Sequence, residues 1–393
     1  MMPQDRIYLD NAATSWPKPD AVYAAVDRYL REVGASAGRG AYEEAIEAAD
    51  AVRQTRAAVA RLIGVRDARQ IVFATSGTDA LNLAIHGLLD RRGGHVVTTV
   101  AEHNSVLRPL RALADAGCIT VTHVACNGEG VIEPDAARAA MRADTRLVAV
   151  THASNVTGAI NPIAEIAAIA HERNALCLVD AAQTLGEIPI SVERLGVDLL
   201  AAPGHKGLLG PQGTGVLYLR EGVERDIDAL RQGGTGSSSE SDEQPLTLPH
   251  KYESGTLNVP ALAGLGAGVA WLLERGVDAV RQHAISLSEQ LRQGLAAIDG
   301  VRLYGPEQAA ARVGIVSITI EGCDPHDVAA ALDAGYRVQT RAGLHCAGRM
   351  HEALGTLAGG GTLRFSVGPF NTAEHIECAV AAVQAIAAGR LVV

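Results

Sequence analysis

The stretch LCLVDAAQTLGEIPISVERLGVDLLAAPGHKG, residues 176–207, decides how this chain folds. It holds two short apolar runs, Leu176–Val179 and Leu199–Ala202, each too short for a helix and each ending on an uncommon polar residue. Asp180 closes the first run, and Lys206 follows the second on the turn Pro203-Gly204-His205-Lys206-Gly207. Apolar runs of four to eight residues bounded by turn signals read as buried strands. Working outward, further runs of the same kind lie at Ile71–Ala74, Val96–Val100, Ile119–Val124, Leu147–Thr151 and Val216–Leu219. Segments with helical spacing separate most of the seven, so the pattern predicts βαβ crossovers and a mainly parallel sheet covered on both faces.

Helical periodicity is clear over 20–33 and 43–63, where Ala45, Ala49, Val52, Val59 and Leu62 recur every three or four positions. One long helix is expected near 261–298, followed by a β-α-β-α unit with strands near 313–320 and 362–367. The predicted fold is therefore α/β, a large domain over 15–258 and a smaller α+β domain built from 1–14 and 259–393. The segment Gly233–Pro249 reads as a surface loop, being rich in Gly and Ser and acidic.

Composition excludes several classes of function. The chain has 393 residues, 48% hydrophobic and 20% charged, enough apolar sequence for a large core. Its net charge is −10 with no basic run, which argues against nucleic acid or an anionic membrane as the main partner. Six cysteines without a C-x-x-C pair suggest neither a disulfide framework nor a zinc ribbon. No metal site is expected. The N-terminal sequence has no basic segment leading into an apolar one, and the uncharged stretch Gly255–Leu273 contains Asn258 and Pro260. The expected setting is cytoplasmic, with no membrane span.

Lysine is scarce: Lys18, Lys206 and Lys251 are the only three among 34 basic residues. Ligands of open α/β sheets sit at the carboxyl ends of the strands, and three such ends carry suitable groups here. Ile71–Ala74 runs into Thr75-Ser76-Gly77-Thr78 and an apolar helix, whose free N–H groups suit a phosphate. Asp180 offers a carboxylate for a cationic ring nitrogen. Lys206 offers an amine that desolvation would make available near neutral pH. Together these are the requirements of pyridoxal 5′-phosphate, and His103 supplies a flat ring to stack on it. Lys18 and Lys251 lack comparable sequence surroundings.

At this point the residues carry a family resemblance over essentially the whole chain. YLDNAAT at 8–14, SGTDALN at 76–82, EH at 102–103, SNVTGAINPI at 154–163 and VDAAQ at 179–183 resemble, in order, a class V aminotransferase-fold enzyme. GHKGLLGPQGTG at 204–215, ESGTLN at 253–258, RAGLHCA at 341–347 and LRFSVGPFNT at 363–372 continue the match. Within that class the chain is similar to the cysteine desulfurase and selenocysteine lyase group, of the type I PLP-transferase fold.

The resemblance implies roles. Lys206 would bond the cofactor covalently, Asp180 would hold its ring nitrogen protonated, and His103 would stack on the ring. Gln183 and Asn155 would reach the ring oxygen. Ser76, Gly77, Thr78 and His205 would hold the phosphate, with Thr256 doing so from the neighbouring subunit of a homodimer. Arg364 would grip the substrate α-carboxylate, with Arg341, Asn11 and Ala12 nearby. Cys346, in RAGLHCA, resembles the sulfur-accepting cysteine. Arg341 and His345 beside it would favour its thiolate. The implied reaction converts L-cysteine to L-alanine and leaves a persulfide on Cys346 for an acceptor protein. Selenocysteine lyase, C–S lyase, epimerase or aminotransferase activity, with Cys346 idle, is the alternative, and a scaffold without activity is a third reading. Departures from the family pattern are Pro203 in place of a phosphate-binding serine, Arg39 within 36–42, and the acidic serine loop at 237–243.

Overall fold

The computed structural model describes residues 6–38, 40–237 and 240–389. Of the expectations above, residues 1–5 of the smaller domain, Arg39, and Ser238 and Ser239 of the acidic loop lie outside the described residues.

The seven apolar runs form one sheet. Its strands are β2 (Ile71–Ala74), β3 (Gly94–Thr99), β4 (Ile119–Val124), β5 (Thr145–Thr151), β6 (Leu176–Asp180), β7 (Leu199–Pro203) and β8 (Gly215–Leu219). The spatial order is β2-β8-β7-β6-β5-β3-β4. Only β8 runs against the rest, pairing antiparallel with β2 and β7. Every residue of β2, β6, β7 and β8 is buried except half-buried Leu176, which is why these runs are continuously apolar rather than alternating. Helices α1 (Asp20–Arg28), α2 (Glu43–Leu62), α3 (Gly77–Leu89), α4 (Asn104–Asp115), α5 (Pro134–Ala140), α6 (Ile163–His171) and the short α7 (Val192–Leu195) lie between or before the strands. Two apolar cores result: Val148, Val179 and Leu200 face one, and Leu147, Leu178 and Leu199 the other.

A second sheet of four strands, β9 (Val301–Tyr304), β10 (Ile315–Ile320), β12 (Arg341–Gly343) and β13 (Thr362–Ser366), is ordered β12-β13-β10-β9. The sequence pattern reveals only β10 and β13, since VRLY and RAG are too short to show alternation. Helices α10 (Pro325–Tyr336), α11 (Gly348–Ala353) and α12 (Ala373–Ala387) complete this part. The N-terminal β1 (Ile7–Tyr8) pairs in parallel with β11 (Val338–Gln339), tying the start of the chain to the smaller sheet.

The expected long helix is two: α8 (Val259–Arg275) and α9 (Val277–Ala296). Gly276 between them has φ 83°, which a helix does not accept and glycine does at little cost. The break matters for the domain division. Leu262, Leu265, Val269 and Leu272 of α8 pack into the large sheet's core, whereas Leu287, Leu291 and Leu295 of α9 pack with Phe365 and Val316. We therefore propose the division at Gly276 rather than after residue 258.

Candidate active site

The carboxyl ends of β2, β6 and β7 open on a cavity of about 230 Å³, lined by Ser76, Gly77, Thr78, His103, Asn155, Asp180, Gln183, His205, Lys206, Arg341 and Arg364, with Ala12 at its edge. Residues drawn from eight separate stretches of sequence thus meet in one place.

The α3 N-terminus forms one wall. Ser76 is the N-cap, its Oγ accepting the Asp79 N–H at 3.0 Å. Gly77 and Thr78 occupy the first turn, where N–H groups have no intrahelical acceptor. Close packing demands Gly77: a Cβ there would lie 2.9 Å from Pro203 Cδ. Pro203 is therefore a packing surface under the turn. Thr78 Oγ1 and Ser105 Oγ are 2.7 Å apart, and Ser105 Oγ is 2.8 Å from His103 Nδ1. Ser105, which the sequence reading missed, thereby joins the helix N-terminus to the ring. Its only signal was its place in the first turn of α4, whose N-cap is His103.

His103 is held neutral. Burial, then Lys206 and Arg341, pull it down to about 4, so it offers an uncharged flat face. His205 behaves alike, lowered to about 4 by burial and by Lys206 and Lys18, and its Nδ1 is buried without a partner.

Lys206 is lowered to about 8 by burial, with Arg364 and Arg341 acting in the same direction and Asp180 against it. Asp180 is 4% exposed and accepts the Ala182 N–H at 2.9 Å. Burial raises its carboxyl, opposed by that hydrogen bond and by Lys206. Nearby Glu102, fully buried, is pushed up to about 8 and holds Thr99 Oγ1 at 2.6 Å and the Thr151 N–H at 2.9 Å. Burial thus favours its neutral acid form, and although the EH motif at 102–103 contains it, the sequence assigned it no role.

One expectation about lysines is corrected. Lys18 is also lowered to about 8 by burial, so a depressed amine is not particular to Lys206. The difference is position. Lys18 Nζ is tied to Ser15 O at 3.0 Å, Ser15 Oγ at 2.9 Å and His205 O at 3.4 Å, behind the turn that Lys206 projects from.

The smaller sheet supplies the opposite wall. Arg364 is 1% exposed and donates from Nη1 to Asn155 O at 3.0 Å and from Nη2 to Asp10 Oδ1 at 2.9 Å. Its Nε is buried without a partner. Arg341 stands directly opposite it across the β12–β13 pair. Like charges facing each other across strands are unfavourable, so this pair calls for an anion beyond Asp10. Asn155 Nδ2 donates to His345 O at 2.6 Å, and Gln183 Nε2 to Ala12 O at 3.2 Å.

Cys346 sits in the turn Leu344-His345-Cys346-Ala347, closed by Ala347 N–H to Leu344 O at 2.9 Å. His345 and Cys346 have φ of 48° and 60°, a left-handed pair costing about 1–2 kcal/mol per non-glycine residue. The Asn104 N–H fixes the turn by donating to Cys346 O at 2.8 Å. Arg341 Nη2 is 4.0 Å from Sγ. The expected help from His345 is not there. Burial drives His345 down to about 2, and its Nε2 turns to Thr362 O and Oγ1, both at 3.1 Å, away from the thiol.

Three expected residues, Cys346, Asn11 and Thr256, do not line this cavity, though Asn11 borders a small adjoining one together with Gln183 and Lys206. The Asn11 amide is spent on structure: Nδ2 meets Ser366 O at 3.1 Å and Asn371 Oδ1 at 3.2 Å, while Oδ1 accepts the Trp16 N–H. Thr256 is exposed and borders a separate groove with Ser36 and His250.

Comparison with known proteins agrees with this geometry. The family model described as Aminotransferase class-V matches residues 7–378. The chain is 38% identical over 377 residues to a probable cysteine desulfurase of Methanothermobacter thermautotrophicus, covering 95% of this chain and 93% of that protein. It is 32% identical over 376 residues to a cysteine desulfurase of Enterobacter sp. strain 638, covering 94% and 90%. Among solved structures, the apo cysteine desulfurase of Thermococcus onnurineus NA1 superposes with a TM-score of 0.91 at 33% identity, over 98% of this chain and 95% of that one. The Escherichia coli cysteine desulfurase CsdA gives 0.88 at 28% identity, over 98% and 96%.

Proposed function

Because the chain belongs to the class V aminotransferase family, we propose that it is a pyridoxal 5′-phosphate-dependent cysteine desulfurase, taking sulfur from L-cysteine and leaving L-alanine. The observation that carries this reading is the thiol of Cys346, set on a strained turn against Arg341, the same arginine that borders the cavity of Lys206 and Arg364.

The residues present fit the cofactor. Unpartnered His205 Nδ1 and the free first-turn N–H groups of α3 suit its phosphate. Buried Asp180 suits the ring nitrogen, neutral His103 the ring face, and Lys206 the covalent link. Bound there, pyridoxal phosphate supplies an electron sink for the substrate Cα.

The chain's own groups do the rest. Arg364 has five N–H donors, of which two are engaged by Asn155 and Asp10, leaving three for a carboxylate. Its rigid setting, with Arg341 beside it, orients the amino acid. Lys206, near 8, exchanges a proton at Nζ close to neutral pH, which suits removal from Cα and return to the product. Asp180 would hold the ring nitrogen, and a cation there would favour its anionic form against the burial that raises its carboxyl. The Cys346 sulfur, with Arg341 Nη2 4.0 Å away, attacks the substrate sulfur: an S–S bond forms, the substrate Cβ–S bond breaks with its electron pair left on the carbon side, and protonation of that carbon completes alanine.

Exposed Thr256 is consistent with a role in a second copy's site, and we propose a homodimer. No helix among the described residues is long and apolar enough to cross a membrane, and we take the working compartment to be the cytoplasm.

The test is to incubate the purified holoenzyme with L-cysteine and identify both the amino-acid product and the mass of Cys346. Alanine with one added sulfur on Cys346 is expected, and the Cys346→Ala variant should form neither protein-bound persulfide nor alanine above background. Pyruvate and ammonia would mean β-elimination and would refute the reading.

A further inference from the structure

The turn that carries Cys346 separates two hollows. Arg341 and His345 line the inner cavity. On the outer side, Gly348 and Arg349 border an open groove of about 520 Å³, with Asn104, Leu107, Arg108 and Arg111 of α4 along one flank and Val121 and His123 of β4 along the other. Because β4 is an edge strand, no further strand covers this flank.

The groove is positive in a chain of net charge −10. Its one acidic lining residue, Asp115, is consumed by Arg111, whose Nε lies 2.7 Å from both carboxylate oxygens. Arg108 and Arg349 are exposed and have no carboxylate partner among the described residues. His123 adds no charge, since burial and Arg349 keep it neutral. Two guanidiniums without a carboxylate partner thus line a groove that adjoins the Cys346 turn, whose Cys346 O accepts the N–H of the groove residue Asn104.

We propose that this groove is the docking surface for a sulfur acceptor, an acidic protein segment whose cysteine is flanked by carboxylates. The inference rests on the reading of Cys346 as the persulfide-bearing thiol. Transfer needs no outside oxidant. The acceptor thiolate attacks the outer sulfur of the Cys346 persulfide and a new S–S bond forms to the acceptor. The old S–S bond breaks, and its electron pair returns to Cys346 Sγ. The two arginines steer the carboxylates toward the groove and so raise the encounter rate.

The probes are two synthetic peptides carrying one cysteine, flanked on each side by two glutamates or by two glutamines. Persulfidated full-length holoenzyme is mixed with each at low and high salt, and sulfur on the peptide is followed by mass. The wild type should transfer to the glutamate peptide at least about tenfold faster at low salt, the lower end of electrostatic steering. Salt near 1 M should erase most of that advantage, because the Debye length falls to about 3 Å. In R108Q/R349Q the advantage should vanish, and in R108E/R349E it should reverse. Alanine formation with dithiothreitol as acceptor should stay unchanged in both variants, which also shows that they fold. Equal rates for the two peptides in the wild type, or an advantage that survives R108Q/R349Q, would overturn the proposal. Absence of any persulfide on wild-type Cys346 would instead overturn the functional reading, and this inference with it.

Discussion

Replacing Lys206 by methionine should make the apoprotein more stable, and the size of the gain should depend on pH in a way the structure specifies. The ammonium sits at a strand end among Asp180, Arg364 and Arg341, and burial brings it from 10.5 to about 8. Its folded value lies below its unfolded one, so between about pH 8 and pH 10.5 the unfolded chain binds more protons. Wild-type stability therefore rises with pH across that window. Below about pH 8 both states are protonated and the whole penalty is present. Linkage gives a penalty of about 3 kcal/mol at pH 7 and about 1 kcal/mol at pH 10. Methionine has a similar volume and no charge, so the variant escapes the penalty at both pH values. Urea unfolding of the two apoproteins, at one protein concentration and at pH 7 and pH 10, measures the difference. Other groups titrating over this range are common to both proteins and cancel. The expected result is a variant about 3 kcal/mol more stable at pH 7, with the gap closing by about two-thirds at pH 10. A gap that does not shrink, or a variant less stable at both values, would refute a depressed Lys206.

Other substitutions test neighbouring parts of the argument. Arg364→Lys loses the planar fork while keeping the charge, and kcat/KM for cysteine should fall about 10- to 100-fold, the worth of one or two charge-assisted hydrogen bonds, in steady-state assays. Ser105→Ala breaks the link between Thr78 and His103 and should weaken cofactor retention about fivefold, read by dialysis and visible absorbance. Glu253→Gln leaves Arg56 buried without its counter-charge. That carboxylate also accepts the Phe73 N–H at 2.7 Å, so the urea midpoint should drop by the equivalent of about 3–5 kcal/mol.

Much of the fold was legible because buried parallel strands must be apolar along their whole length, and seven such runs stood out between helical segments. Strands β9 and β12 did not, being three or four residues long with partly exposed positions. The break at Gly276 was hidden because apolar spacing continues on both sides of it, and only the packing tells that α8 and α9 serve different cores. At the site, the motifs announced most residues, but Ser105 lies outside them and Asp10, though inside YLDNAAT, carried no expected role. A serine in a first helical turn and an aspartate near the N-terminus look ordinary until folding sets them against Thr78 and Arg364.

Sequence alone settled the seven strands of the large sheet and the helices between them, a helix start at Ser76–Thr78, a carboxylate at the end of a strand and a choice of three lysines, because these follow from local pattern and chemistry. All three lysines turned out to have depressed amines, and only the folded arrangement shows that Lys206 is the one facing the cavity. Tertiary structure alone likewise turned His345 away from Cys346, withdrew the Asn11 amide into the scaffold, and left Arg108 and Arg349 unpaired outside the thiol. Each depends on which distant groups come within a few ångströms. Hydrogen bonds and desolvation act over that distance, and the order of residues along a chain does not fix it.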